Sequence, residues 1–146
     1  MPLRIALGVV LAMSAAIVYA QSIPMSELRA ARSLKCHFGE GISTQWSGSN
    51  PKTSVARFDE DVHFDAIDLA KQTARLVGNA GANDVSAFAT AVGISFIETA
   101  PWVVDVTTVY AVYGKDGNFI AADTRHVLIQ GGAMAEQYYG SCKIWQ

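Results

Sequence analysis

Residues 104–129 read VDVTTVYAVYGKDGNFIAADTRHVLI, and the fold class turns on this stretch. Two runs rich in Val, Thr, Tyr and Ile flank Gly114-Lys115-Asp116-Gly117-Asn118. β-branched and aromatic side chains suit a pleated, half-buried surface, while Gly, Asp and Asn suit turns. An Asp-Gly pair between two such runs predicts a hairpin with a two-residue turn, because Gly accepts the positive φ that the turn requires. With Asp116 and Gly117 at the turn, Lys115 pairs with Asn118, Tyr113 with Ile120, Tyr110 with Asp123, Thr108 with Arg125 and Thr107 with His126. This register places Asp123 and Arg125 on one face with Thr108 and Tyr110. His126 shares the other face with Thr107, Val109, Ala122 and Thr124.

The same texture continues outward from the hairpin. Strands are expected near 34–46 (bent at Gly39 and Gly41), 53–58, 63–69, 73–79, 84–90, 94–100, 104–113, 119–129 and 137–145. Ala91–Gly93 suggests a second hairpin, and Asn79–Asp84 reads as an open turn. No repeat or low-complexity tract interrupts the pattern. Eight or nine short antiparallel strands in meander order favour an all-β, closed or nearly closed barrel, because closure removes exposed strand edges. A two-sheet β-sandwich is the alternative.

Cys36 stands near the start of this array and Cys142 four residues from the chain end. Neither has a partner at metal-site spacing, so one disulfide tying the ends together is expected. Such a bridge makes the first and last strands neighbours. A meander with cysteines near both ends resembles the layout of periplasmic lysozyme-inhibitor barrels. The Ser-Gly-x-x-Tyr signature of those proteins is absent, since Ser47-Gly48-Ser49-Asn50-Pro51 carries no aromatic residue, and no family is assigned.

The 146-residue chain is 51% hydrophobic, which first suggests a membrane protein. The apolar excess is concentrated at the start. Arg4, the apolar run Ile5–Tyr19 and Val18-x-Ala20 before Gln21 form a secretory signal peptide over 1–20. No later stretch approaches the ~18 apolar residues of a spanning helix. The expected organisation is therefore a signal peptide, a short helical or flexible lead-in over 21–33, and a single β-barrel domain over 34–146, exported to the periplasm or secreted. The chain holds eleven basic and thirteen acidic residues, so losing Arg4 leaves ten against thirteen, a formal −3. No basic cluster remains to neutralise phosphates, which argues against nucleic acid as a partner.

Three constellations carry candidate chemistry. Asp59, Asp61, His63 and Asp65 are oxygen-rich, but Phe64 and Ala70 stand where an EF-hand from Asp59 needs Gly and Glu. A solvated acidic turn between strands is the simpler reading, and no metal or cofactor is expected. Glu98 alternates with Ile94 and Phe96, so it shares a face with large apolar residues, where desolvation would raise its pKa. With His126 or Arg125 it would resemble an active site. Asp123, Arg125 and Tyr110 form a specific ligand site if their face is interior, and only a surface ladder pair if it is exterior. The exterior reading is preferred. Trp102 follows Pro101 in a loop, where an exposed ring suggests a partner, and Trp46 and Trp145 are expected to stack near the disulfide.

No Gly-x-Ser-x-Gly elbow, Walker loop, HExxH or dinucleotide fingerprint is present. The preferred function is a small exported binding or interaction protein. Its ligand is a small, partly apolar molecule held by Glu98, Tyr110, Asp123, Arg125 and Trp102, or its partner is an envelope protein at the rim. The alternatives are a small hydrolase or lyase with Glu98 or His126 as general base and Arg125 stabilising negative charge, or a structural envelope component.

Overall fold

The structure, a computed structural model, describes residues 23–78, 81–130 and 132–146. The expected signal peptide and residues Asn79, Ala80 and Gly131 lie outside the described residues. A helix, α1, covers 23–30. Eight strands follow: β1 Leu34–Ser47, β2 Asn50–Asp68, β3 Thr73–Gly78, β4 Gly81–Ala89, β5 Gly93–Ala100, β6 Val103–Tyr113, β7 Phe119–Ile129 and β8 Gly132–Ile144. Each strand pairs antiparallel with the next, and β8 returns to β1, which closes the ring. The fold is the barrel rather than the sandwich.

Closure is fixed at one point by chemistry. Cys36 and Cys142 lie directly opposite each other in the β1–β8 ladder, are bonded, and are fully buried. Farther along the same seam the ladder slips between Phe38 and Gly41. The backbones there come too close for a side chain: a Cβ on Gly41 would meet the Gln137 carbonyl, and one on Gly140 the His37 carbonyl. Glycine is needed at both places.

The expected strands 53–58 and 63–69 are one continuous strand, β2, so the acidic stretch is not a turn between strands. The chain accommodates it with a bulge. Asp59 takes a φ of 47° where the register to β1 shifts between Phe38 and Glu40. A bulge bends a strand without ending it.

The hairpin at 104–129 forms, but its turn spans five residues rather than two. Tyr113 pairs with Phe119, Gly114 N–H donates to the Asn118 carbonyl at 2.7 Å, and Gly117 supplies a φ of 76°. The Asp116 carboxylate receives the Asn118 N–H at 3.1 Å and stiffens the turn. The longer turn displaces the expected register by one, and an irregularity between Val109 and Tyr113 displaces it by two more. The observed pairs are Val109 with Ala121, Thr107 with Asp123, Asp105 with Arg125 and Val104 with His126. An odd displacement exchanges the faces. Asp105 and Thr107, not Tyr110 and Thr108, therefore share a face with Asp123 and Arg125. That face points inward, so the preferred exterior reading is wrong.

The interior is built from alternate residues of every strand, including Phe38, Phe64, Ile94, Phe96, Val109 and Phe119. The lead-in contributes to it as well. Leu28 of α1 is fully buried and Ala31 nearly so, while Met25 packs against the same cluster. Arg32 donates to the Ile67 carbonyl at 3.0 Å and Arg29 to the Thr90 carbonyl at 3.3 Å. The Tyr113 hydroxyl donates to Glu27. These partners sit at the ends of β2, β4 and β6, so α1 plugs that end of the barrel. Trp46 and Trp145 do not stack. Antiparallel order puts the last residues of β1 and β8 at opposite ends, and Trp145 instead meets His63 edge-on at 6.5 Å.

Among the described residues the far end is open. Among the described residues, β2 over 50–62 pairs with β1 alone, because its partnership with β3 begins at His63–Val77. β4 meets β5 only from Ser86 to Ala89. The β3–β4 hairpin is held to β2 as far as Val77, whereas Gly81–Val85 of β4 have no backbone pairing to β5. No helix among the described residues is long and apolar enough to cross a membrane.

Two changes test this account of stability. Replacing both Cys36 and Cys142 by Ser is expected to cost ~2–4 kcal/mol in denaturant unfolding while leaving the far-ultraviolet spectrum unchanged. Leu28→Ala is expected to cost ~2–5 kcal/mol, as a cavity under the helical plug should; an unchanged unfolding midpoint would show that α1 is not part of the core.

Candidate ligand cavity

Between α1 and the open end the barrel encloses a cavity of about 200 Å³. One side is apolar. Phe64 and Phe96 stack with ring centroids 4.0 Å apart, flanked by Val62, Leu76 and Val85. Strand alternation aims these residues inward from β2, β3, β4 and β5. The opposite wall is polar, with Asp105 and Thr107 from β6 and Asp123 and Arg125 from β7. Glu98 of β5 and Glu60 and Asp61 of β2 complete the lining.

Arg125 organises the polar wall. Its Nε donates to Asp105 Oδ2 at 2.8 Å, and its guanidinium lies 5.3 Å from the Phe58 ring centroid. Phe58 in turn packs on Tyr138 at 5.2 Å. Burial works against the Arg125 charge, but Asp105, Asp123 and Glu136 outweigh it and hold the guanidinium above its ordinary pKa. Tyr138 is pushed up to about 12 by burial and by the Glu136 carboxylate.

The two aspartates are the unusual feature. Asp123 is 4% exposed and Asp105 8%. Thr107 Oγ1 donates to Asp123 Oδ1 at 2.6 Å, which leaves Asp123 Oδ2 and Asp105 Oδ1 buried without partners. Buried polar atoms are rarely left so. Burial first, and then the negative charge of Asp105, pushes the Asp123 carboxyl up to about 7, against the Thr107 hydrogen bond and Arg125. A proton held on Asp123 and offered to Asp105 would satisfy both orphaned oxygens.

The other residues singled out in the sequence are distributed as follows. Glu98 lines the cavity, half-buried, and receives Asn83 Nδ2 at 2.9 Å. His126 is exposed on the outer face, opposite Val104, so the structure does not bring it to Glu98. Arg125 shares the cavity with Glu98 but is held by Asp105. Tyr110 also lies outside, in a shallow groove with Thr108, Thr124 and His126. Trp102 is 69% exposed in the β5–β6 turn and borders an outer groove with Trp46.

The acidic stretch disperses along β2. Lys35 and His37 reach Asp61 at 2.7 and 3.1 Å, and His37 lies 3.6 Å from Asp59. Ser33 bonds His63 at 2.7 Å, and Arg75 grips both oxygens of Asp65 at 2.8 Å. Hydrogen bonds from Lys35 and His37 hold the Asp61 carboxyl below its ordinary value, and Arg75 does the same for Asp65. Among the described residues no three His, Cys, Asp or Glu converge as a metal site. Asp105 and Thr107 are the cavity residues that the sequence reading omitted. Their signal is the alternation Asp105-x-Thr107-x-Val109-x-Ala111, which is legible only once the register to β7 is known.

The raised Asp123 carboxyl makes stability depend on pH with a definite sign. The unfolded chain loses this proton near 3.8, whereas the folded chain keeps it to about 7. Between those values the folded state holds more protons, so its stability falls as pH rises, and the full penalty is present above 7. Asp123→Asn, whose amide can donate to Asp105, is expected to flatten this slope and to gain ~1–3 kcal/mol at pH 8. Urea unfolding at pH 5 and pH 8 checks it; parallel profiles for both proteins would refute it. Compared with protein-family models, curated proteins and solved structures, the chain finds no match.

Proposed function

We propose that this protein is a small binding protein that holds a partly apolar small molecule inside the barrel. The reading rests on one observation: a cavity with an aromatic wall facing a polar wall whose buried oxygens lack partners. Its 200 Å³ sets the ligand size. An apolar cavity of ~150 Å³ accepts benzene, and drug-sized ligands occupy roughly 300–1,000 Å³, so the ligand has on the order of ten heavy atoms. The hydrolase or lyase reading loses support because Glu98 and His126 face opposite sides of the wall. A disulfide-closed β-fold is compatible with export. We therefore retain a signal peptide over 1–20, with α1 and the barrel forming the exported protein.

Val85 is buried on the apolar side and offers a control. Titration with indole, followed by NMR, is expected to shift signals of Val85, Phe64 and Phe96. Val85→Phe should fill the void and weaken binding at least ~tenfold without loss of thermal stability. Shifts scattered over the outer surface, or unaffected by the substitution, would refute an interior site.

A further inference from the structure

Building on the interior site, we infer that its ligand is a small organic cation, a protonated amine on a compact apolar body, whose N–H groups are received by Asp105 Oδ1 and Asp123 Oδ2. Hydrogen-bond supply in the cavity leads to this class. Three donors that face it are already spent on carboxylates: Arg125 Nε on Asp105, Thr107 Oγ1 on Asp123, and the Asn83 amide on Glu98. Two buried acceptors remain open, Asp105 Oδ1 and Asp123 Oδ2, on residues more than nine-tenths buried. A ligand that brings only acceptors leaves those oxygens unsatisfied; one that brings donors satisfies them.

Charge points the same way. The lining carries Glu60, Asp61, Glu98, Asp105 and Asp123 against Arg125. Arg125 offsets Asp105, and Lys35 with His37 offsets Asp61 from outside. Negative charge is left over at Glu60 and Glu98, and at Asp123 once its proton leaves, so an anion is repelled and an ammonium favoured. The stacked Phe64 and Phe96 supply the surface for the apolar body.

In the empty cavity a proton on Asp123 does the ammonium's work. The groups facing Asp123 are Asp105 and Thr107 from β6, Arg125 on its own strand, Glu136 and Tyr138 from β8, Glu98 from β5, and Phe58, Glu60 and Asp61 from β2. The ammonium enters with all its hydrogens, and the Asp123 proton leaves to water. One cation replaces one proton, and no bond of the ligand changes. Because that carboxyl titrates at about 7, binding should tighten about tenfold from pH 6 to pH 8.

Calorimetry with benzylamine, benzyl alcohol and benzoate tests the assignment. Benzylammonium is expected to bind at least ~tenfold more tightly than benzyl alcohol, and benzoate not at all. Its heat of binding should vary with the ionisation enthalpy of the buffer, reporting proton release. Asp123→Asn should weaken benzylammonium at least ~tenfold and abolish the proton release, with its raised melting temperature showing that it is folded. Equal affinity for benzylamine and benzyl alcohol would overturn the cation assignment and leave the interior site standing. Benzylammonium binding without proton release, or unaltered in the variant, would overturn the role of the two aspartates. Binding of none of the three would remove the interior site and the inference together.

Discussion

The meeting of β8 with β1 is the constraint on which everything else depends. A meander of eight strands has two raw edges until its ends join, and here a buried Cys36–Cys142 bond sits in the joining ladder. Closure defines an inside. Only then are Phe64 and Phe96 removed from water, and only then does Asp123 lose the solvation that would keep its carboxylate charged. The raised Asp123 carboxyl is thus a consequence of two strands joined elsewhere on the ring. Topology, core and electrostatics are connected through one seam.

The helical plug and the carboxyl pair divide the barrel lengthwise. At the α1 end, Leu28, Ala31 and Phe38 are buried in the apolar cluster. Toward the other end the strands separate, the side chains no longer meet in the middle, and charged residues take inward positions. A void bordered by unpaired oxygens is costly in a small protein. That cost is intelligible if the void is meant to be filled.

Much of the fold was legible in the residues. The period-two runs gave seven of the eight strands as separate segments, and two cysteines at the ends of an exported-looking chain gave the bridge. Glu98 lay on the face of Phe96, as alternation required. Failures came where the chain slipped by one residue. The Asp-Gly pair signalled a turn but not its length, and the irregularity after Val109 has no mark in a run of Val, Thr and Tyr. Together they moved Tyr110 outside and Asp105 inside. Asp59 likewise keeps a strand going through an acidic stretch that reads as a turn. Side-chain direction alternates with every residue, so small errors of register invert a site while leaving the fold class correct.

The upper half of β2 has a further consequence. Eleven residues from Lys52 to Val62 present backbone groups on a side where, among the described residues, no strand lies. Such a row is a template on which another chain can extend the sheet. Its own sequence works against that use. Pro51 lacks a donor at the outer end, Lys52 and Arg57 place like charges along it, and the Asp59 kink breaks the straight run before Glu60 and Asp61 add opposite ones. The far end of the barrel is thereby bordered by an edge ill suited to fibril growth.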